Sequence, residues 1–314
     1  MAIPCLDLNN LDLNKLDSAC AEWGVFALTG HGIDPQLTAE VLWQTTLFFE
    51  RTSAYKNRIR RTAQNAWGFN DAELTKNRRD WKEIVDIGAA VHTGPLAGSL
   101  PQWPDQGGFK DTMQAWSNAL HNVGLAVVDH ICSALGTHTD LTAPFTHHSS
   151  FLRLNYYPIC LEPAPEDSGF TPTHGNLGIS HHSDAGAVTV LMQDAQPGLQ
   201  VYRQDRWHTV MPIEGALVIN MGDIVQVWSN DRYTAPIHRV LANSEKARIS
   251  TPYFLNPSYD YNYQPLLDSA RVESMAKYRP INWGEFRQKR TAGDYADDGG
   301  EVQISDFKVA NQKT

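Results

Sequence analysis

The sequence is poor in cysteine, with four in 314 residues. Cys5, Cys20, Cys132 and Cys160 lie far apart along the chain, and no two of them form a CxxC pair. This spacing argues against a zinc ribbon or a redox-active pair, and it gives no disulfide framework. A chain of this length can bury a sizeable core without cross-links. We therefore expect four reduced thiols.

The sequence also lacks long hydrophobic runs and an excess of positive charge. No window approaches the ~20 apolar residues of a membrane span, and "MAIPCLDLNN" shows no basic segment followed by an apolar one. The formal net charge is −9, which on balance repels nucleic acid and anionic membranes. We expect a cytoplasmic protein that binds neither nucleic acid nor membranes. No signal in the sequence indicates an oligomeric state.

Helical periodicity dominates the first 149 residues. Apolar residues at helical spacing in "LNKLDSACAEWG" predict a helix that stops at Gly24, and "VFALTGHGI" predicts one early strand. Asp34 followed by Pro35 is typical of a helix start, so "QLTAEVLWQTTLFFE" is predicted to continue as a helix. An apolar stripe predicts a second long helix over about 109–136.

After about residue 150 the hydrophobic period changes from near 3.6 to 2. Short strands divided by Gly, Pro, Asn and Asp are predicted in "FLRLNYYP", "AVTVLMQD", "GLQVYR", "RWHTVMP", "GALVINMG", "DIVQVWS", "HRVLAN" and "ARISTPYFLNP". Such a series is typical of a sandwich or jelly roll. The predicted fold class is α+β and mainly β: a helical N-terminal region (1–149), a jelly-roll catalytic core (150–267) and a C-terminal tail (268–314) in one compact unit.

Residues 178–194, "GISHHSDAGAVTVLMQD", place two histidines and an aspartate at the head of an apolar run. Such residues are costly to bury unpaired, so their clustering here is not explained by packing. Side chains two apart on a strand share a face, so His182 and Asp184 can converge while His181 turns away. A His-x-Asp pair alone is weak support for a metal site, and a third ligand is needed.

Two histidines are candidates for that third ligand: His208 in "RWHTV" and His238 in "TAPIHRVLAN". Two imidazoles and one carboxylate form the triad that binds Fe(II) on one face and leaves positions open for an organic acid and O₂. Zinc fits the same ligand types, but a catalytic zinc usually keeps a single open position.

Polar residues on two later strands suggest a binding pocket beside that metal. Arg248 and Ser250 in "ARISTPYF" share a strand face and offer N–H donors and a hydroxyl, which suit a carboxylate. Alternation in "FLRLNYYP" places Arg153, Asn155 and Tyr157 on one face. The alternative for Arg248 is a surface ion pair, and the alternative for Tyr157 is a structural role.

These segments, with "RLNYYPIC", "GLQVYRQDRWHTVMPIEGALVINMGDIVQVWSNDRYTAPIHRVLANSEKARISTPYFLNPS" and the early "ACAEWGVFALTGHGI", resemble the iron- and 2-oxoglutarate-dependent dioxygenases of the isopenicillin N synthase-like superfamily. The resemblance runs from Ile3 to about Val309. It implies an enzyme that uses Fe(II), O₂ and 2-oxoglutarate, and oxidises a small organic molecule, by default by hydroxylation, with release of succinate and CO₂.

The same resemblance assigns roles to individual residues. The residues implied for iron are His182, Asp184 and His238; those for 2-oxoglutarate are Arg248 and Ser250, with Asn155 and Tyr157 lining its site; those for the substrate are Phe254 and Trp228. His181 stands where many relatives have proline. Trp228 fits a core position better than the pocket.

The segment "ELTKNRRDWKEIVDIG", residues 73–88, resembles part of the N-terminal region of a broad subgroup of the same family. Asp80 to Glu83 is a helix start or a pocket edge, and we predict the helix start.

Three other functions remain open at this point. An oxidase of the same fold that uses iron and O₂ without 2-oxoglutarate carries the same Arg-x-Ser pair. A non-catalytic jelly-roll binding protein would not need the complete triad. A zinc hydrolase would need a general base beside the triad, and none is evident in the sequence.

Overall fold

The computed structural model describes residues 2–76, 78–91, 94, 96–273, 275–293 and 302–309. The described residues form six α-helices: α1 (Leu13–Glu22), α2 (Pro35–Phe49), α3 (Ser53–Lys56), α4 (Phe109–Leu135), α5 (Asp223–Trp228) and α6 (Trp283–Gly293). None of these helices combines the length and the hydropathy needed to cross a bilayer.

Local signals in the sequence set the bounds of the long helices. The Asp34 side chain accepts a hydrogen bond from the Gln36 amide at 2.8 Å, which caps α2 in front of Pro35. Gly136 has a positive φ of 69° and ends α4 by donating to the last free carbonyls. The helices predicted from residue 13, from residue 35 and over 109–136 are therefore confirmed.

The strands of the first half of the described chain are β1 (Cys5–Asp7), β2 (Val25–Thr29), β3 (Gly68–Asn70), β4 (Leu74–Thr75), β5 (Arg78–Arg79), β6 (Glu83–Gly88) and β7 (Phe151–Tyr157). Those of the second half are β8 (Leu177–His182), β9 (Val188–Gln193), β10 (Leu199–Arg203), β11 (Arg206–Thr209), β12 (Leu217–Met221), β13 (His238–Leu241), β14 (Arg248–Leu255), β15 (Asn262–Tyr263) and β16 (Ile281–Asn282).

Two sheets make up the jelly roll. The larger has eight strands in the order β1-β2-β12-β9-β14-β7-β6-β3, and the smaller has four in the order β11-β10-β13-β8. Apolar residues of both sheets, such as Leu191 and Val240, meet in one buried cluster between them. A second core lies on the other face of the larger sheet, where α4 packs against β9 and β14. The predicted α+β, mainly β, jelly-roll class is confirmed.

The N-terminal region is less helical than predicted. Instead of one early strand, it contributes β1, β2, β3 and β6 to the larger sheet, and β6 pairs with β7. The predicted helix start at Asp80 is wrong, because Asp80 precedes a strand that begins at Glu83. "EIVDIG" contains three β-branched apolar residues within four positions, a composition that favours a strand.

The predicted strand in "DIVQVWS" is also wrong, because this segment forms helix α5. Its apolar residues are buried on all sides, and a short continuous apolar run does not distinguish a buried strand from a buried helix. The Asp223 amide donates to the Asp184 carbonyl at 2.8 Å, which fixes the start of α5 against the loop after β8. The contact joins residues 39 positions apart, so the sequence of the segment itself does not predict it.

Candidate metal centre and co-substrate cavity

Three potential metal ligands converge between the two sheets. His182 ends β8, His238 begins β13, and the antiparallel register places these two residues opposite each other. The Nε2 atoms of His182 and His238 lie 3.9 Å and 3.7 Å from Asp184 Oδ1. Within the described part of the chain, this is the group of His, Cys, Asp and Glu side chains whose ligand atoms lie close enough to share one ion.

Hydrogen bonds to backbone carbonyls fix the orientation of the two imidazole rings. The Nδ1 atoms of His182 and His238 lie 2.8 Å and 3.0 Å from the carbonyl oxygens of Ser180 and Pro236. Because a carbonyl only accepts, both Nδ1 atoms carry a proton, so in each neutral imidazole the lone pair that can bind a metal is on Nε2.

The carboxylate of Asp184 is oriented in the same way. Thr189 Oγ1 donates to Asp184 Oδ2 at 2.7 Å, which leaves Oδ1 turned toward the two imidazoles. Burial, followed by the neighbouring His238, lowers the pKa of His182 well below its usual value, so its imidazole is neutral. Two imidazoles whose Nδ1 atoms are bonded to carbonyls, together with one carboxylate, fit a divalent iron ion.

The other two histidines considered from the sequence lie elsewhere. His208 is on β11, where its ring packs edge-on against Trp23 at 5.3 Å. The His181 ring packs against Phe170 at 4.9 Å, and its Nδ1 lies 3.0 Å from the Phe170 carbonyl oxygen. Only His238 of the two candidates for a third ligand therefore joins His182 and Asp184.

A buried arginine lies in the same cavity. Arg248 is 1% exposed; its Nε donates to the Gln196 carbonyl at 3.1 Å and its Nη2 to Gln193 Oε1 at 3.0 Å. Its Nη1 is buried without a hydrogen-bond partner among the described residues. Buried polar groups in native proteins are almost always satisfied, so an unpaired guanidinium nitrogen facing a cavity indicates an anionic ligand.

The three remaining residues implied for 2-oxoglutarate lie beside Arg248. The Tyr157 ring centroid is 5.1 Å from the guanidinium carbon, which is the distance of a cation–π contact. Ser250 pairs with Asn155 across β14 and β7, and Asn155 Nδ2 donates to Ser250 Oγ at 3.4 Å. All of these residues line one cavity with the metal triad.

This cavity measures about 250 Å³ and extends past the triad to an aromatic wall. Phe254 belongs to that wall and packs against its cross-strand neighbour Phe151, with ring centroids 4.8 Å apart and ring planes tilted by 30°. Further aromatic residues of the wall are Trp67, Tyr259 and Trp283.

Trp228 does not line this cavity. It is fully buried in the main core, and its ring meets Phe145 edge-on at 6.4 Å. The structure therefore brings Phe254, but not Trp228, to the place where a substrate could bind.

A charged wall of the cavity adjoins Phe151 and carries buried charges that the sequence analysis missed, except for Arg153. The Arg153 guanidinium binds Glu73 and Asp86 through four hydrogen bonds of 2.6–3.1 Å. The Lys82 ammonium lies 3.0 Å from Glu73 Oε2 and 3.1 Å from Asp80 Oδ2. Lys82 and Arg153 line the cavity together with Glu73, Thr75 and Asp86, so this part of the N-terminal region forms a pocket edge.

In this wall, opposite charges outweigh the effect of burial on the pKa of Glu73 and on the pKa of Lys82. Burial acts to raise the pKa of Glu73, but Arg153 and Lys82 outweigh it and keep that pKa below its usual value. Burial acts to lower the pKa of Lys82, and the carboxylates of Glu73 and Asp80 outweigh it in turn. A paired Asp-x-Lys motif before an apolar strand is a sequence signal for such a wall, but the partners come from distant segments.

Comparisons with known proteins agree with this geometry. Residues 148–257 match the family model described as the 2OG-Fe(II) oxygenase superfamily, and residues 3–106 match the one described as non-haem dioxygenase in morphine synthesis N-terminal. Oxoglutarate-dependent flavonoid 7-O-demethylase 1 of Ocimum basilicum is 30% identical over 300 residues, which is 90% of this chain and 76% of that protein.

Two further comparisons cover most of the chain. Jasmonate-induced oxygenase 1 of Arabidopsis thaliana is 32% identical over 91% of this chain and 71% of its own length. The crystal structure of JOX2 in complex with 2OG, Fe and JA is similar with a TM-score of 0.81 and 26% identity, covering 99% of this chain and 90% of that chain.

Proposed function

Since the chain belongs to the 2OG-Fe(II) oxygenase superfamily, we propose that His182, Asp184 and His238 hold the iron of a 2-oxoglutarate-dependent dioxygenase. The enzyme oxidises a small organic molecule and uses Fe(II), 2-oxoglutarate and O₂. The convergence of both Nε2 atoms on Asp184 Oδ1, with both Nδ1 protons tied to carbonyls, supports the ligand assignment.

Bound iron supplies the activation of O₂ and the oxidising power, and the protein supplies binding, orientation and exclusion of side reactions. We assign the far carboxylate of 2-oxoglutarate to Arg248 and Ser250. Arg248 offers its unpaired Nη1, and the Ser250 hydroxyl faces the same cavity. Tyr157 holds the guanidinium from one side, and Asn155 orients the Ser250 hydroxyl.

The aromatic wall and the charged wall together suggest what kind of substrate fits. Phe254 and Phe151 offer an apolar face suited to a flat or ring-shaped group. Lys82 carries three N–H donors, and its two carboxylate partners leave one for an acceptor oxygen. We propose a small substrate with an apolar ring and an oxygen-bearing end, and hydroxylation as the oxidation.

The cysteines support a cytoplasmic location, which we also propose. Cys5, Cys20, Cys132 and Cys160 are all free thiols, as is usual in a reducing compartment. The net negative charge disfavours nucleic acid and anionic membranes as partners. Fractionation of the source cells tests the location, and recovery in a membrane or secreted fraction would overturn it.

Anaerobic titration of the apoprotein with Fe(II) and 2-oxoglutarate tests the site. We expect a visible charge-transfer band in the wild type and in His181→Ala, whose imidazole packs against Phe170 instead of facing Asp184. The band should be lost in His182→Ala, since that substitution removes one of the three proposed ligands. Adjacent histidines of the same strand thus serve as test and control.

Other outcomes would contradict individual parts of the proposal. Iron binding without a 2-oxoglutarate band would favour the oxidase, and no iron binding would favour a binding protein. A band that persists in His182→Ala would refute the ligand assignment. Release of succinate with a panel of small ring compounds then identifies the substrate.

A further inference from the structure

A buried arginine of the C-terminal region contacts the loop between two of the proposed iron ligands. Arg290 lies in the last turn of α6 and is 4% exposed. Its Nη2 donates to the Ser183 carbonyl at 3.1 Å and to Ser183 Oγ at 3.3 Å. Ser183 stands between His182 and Asp184, so the contact reaches the backbone that carries both ligands.

The other side of the same guanidinium binds two further segments. Arg290 Nη1 donates to the Val302 carbonyl at 3.2 Å and to Gln303 Oε1 at 3.4 Å, which attaches residues 302–303 to α6. It also lies 3.6 Å from Asp223 Oδ2, a carboxylate with no exposed surface. The Arg290 guanidinium therefore joins three segments: the ligand loop (residues 182–184), the start of α5, and residues 302–303.

The contact with Asp223 leads back to the metal centre. The Asp223 backbone N–H donates to the carbonyl of Asp184 at 2.8 Å. Arg290 thus reaches the ligand loop by two routes, directly at Ser183 and through Asp223 at Asp184. Its fork geometry allows both at once, which the single ammonium of a lysine does not.

We propose that Arg290 is a positioning residue that holds the His182–Asp184 loop in its iron-binding arrangement. The C-terminal region then orients the proposed iron ligands through Arg290, although Arg290 is not itself a ligand. This inference rests on the proposed function, because it presumes that His182 and Asp184 bind the iron. Partners that orient metal ligands typically change metal affinity 10- to 100-fold when they are removed.

The test compares three variants by calorimetric titration of the apoprotein with Mn(II) and by the anaerobic Fe(II)–2-oxoglutarate spectrum. Arg290→Lys keeps the charge but loses the fork. The double variant Asp223→Asn with Arg290→Gln removes the buried ion pair as a unit. Lys308→Ala is the control, because it removes a half-exposed contact between the chain beyond α6 and Asp231.

We expect Mn(II) binding about 10- to 100-fold weaker in Arg290→Lys and in the double variant, and unchanged in Lys308→Ala. The charge-transfer band of the folded fraction should shift or weaken per bound iron, which a loss of stability alone would not cause. Wild-type affinity and an unaltered band in either Arg290 variant would overturn the inference. If the wild type itself binds no metal, the proposed function fails instead.

Discussion

The carboxylate of Asp80 accepts a hydrogen bond from the backbone N–H of Ser180 at 3.1 Å, while the carbonyl of Ser180 accepts one from His182 Nδ1 at 2.8 Å. Asp80 precedes β6, and Ser180 lies on β8, 100 residues later. The charged wall of the cavity is therefore connected to a proposed iron ligand through the backbone of a single residue, Ser180. Asp80 also accepts a hydrogen bond from Thr75 at 2.7 Å and pairs with Lys82.

Replacement of Asp80 by asparagine should destabilise the fold and weaken metal binding. The substitution leaves Lys82 with Glu73 as its one carboxylate partner, and the loss of a hydrogen bond to a charged group costs about 1.5–3 kcal/mol. Urea unfolding of the apoprotein measures this loss. The control is Asp71→Asn, which breaks an ion pair with Arg60 that is more than a third exposed and should cost less than about 1 kcal/mol. Equal losses in both variants would contradict the buried pairing.

Replacement of Arg248 by lysine should weaken binding of 2-oxoglutarate while iron binding persists. Lysine keeps the positive charge but has no planar fork with which to replace both the Gln196 contact and a carboxylate contact. A hydrogen bond to a charged group is worth about 1.5–3 kcal/mol, on the order of 10- to 100-fold in affinity. Titration of the iron-loaded protein with 2-oxoglutarate measures the change. Arg206→Lys, at the exposed first residue of β11, is the control.

Truncation of Phe254 should affect substrate binding, whereas truncation of Trp228 should affect stability. Phe254→Ala removes one ring of the pair that it forms with Phe151, so the substrate KM should rise while the iron–2-oxoglutarate band stays unchanged. Trp228→Phe leaves a gap in the core, so Tm should fall while the substrate KM stays unchanged. Thermal unfolding and steady-state kinetics on the two variants measure both effects. A raised KM in Trp228→Phe with normal stability would show that the tryptophan reaches the substrate.

The pair formed by His121 and His148 should make the fold sensitive to acid. Their rings lie 4.5 Å apart, and His121 Nδ1 lies 3.0 Å from the Tyr253 hydroxyl. Burial, and then the neighbouring His121, lower the pKa of His148 to about 4. An unfolded histidine titrates near about 6.5, so the unfolded chain takes up protons first, and stability is lost as pH falls from about 6.5 toward 4.

Denaturant unfolding of the apoprotein at pH 7.5 and pH 5 tests this coupling. His148→Gln cannot take up that proton, so its free energy of unfolding should fall less between the two pH values than that of the wild type. His138→Gln, at an exposed position, should behave as the wild type does. An identical pH dependence in wild type and His148→Gln would refute the prediction.

The sequence by itself determined the elements whose signals are local. Asp34 and Pro35 begin α2 and Gly136 ends α4, because caps act on the backbone of their own turn. The alternation after residue 150 marked most strands of the jelly roll. The spacing of His182 and Asp184 already indicated a shared ligand face, since side chains two apart need little more than an extended backbone to converge.

Tertiary structure alone decided which distant residues meet those local groups. The antiparallel pairing of β13 with β8 brings His238, and not His208, opposite His182. Likewise, only folding places Asp80 and Arg290 against the backbone that carries the ligands. These contacts join positions about 100 residues apart, and sheet register and buried charge pairing depend on the whole packed chain, to which no short window of sequence has access.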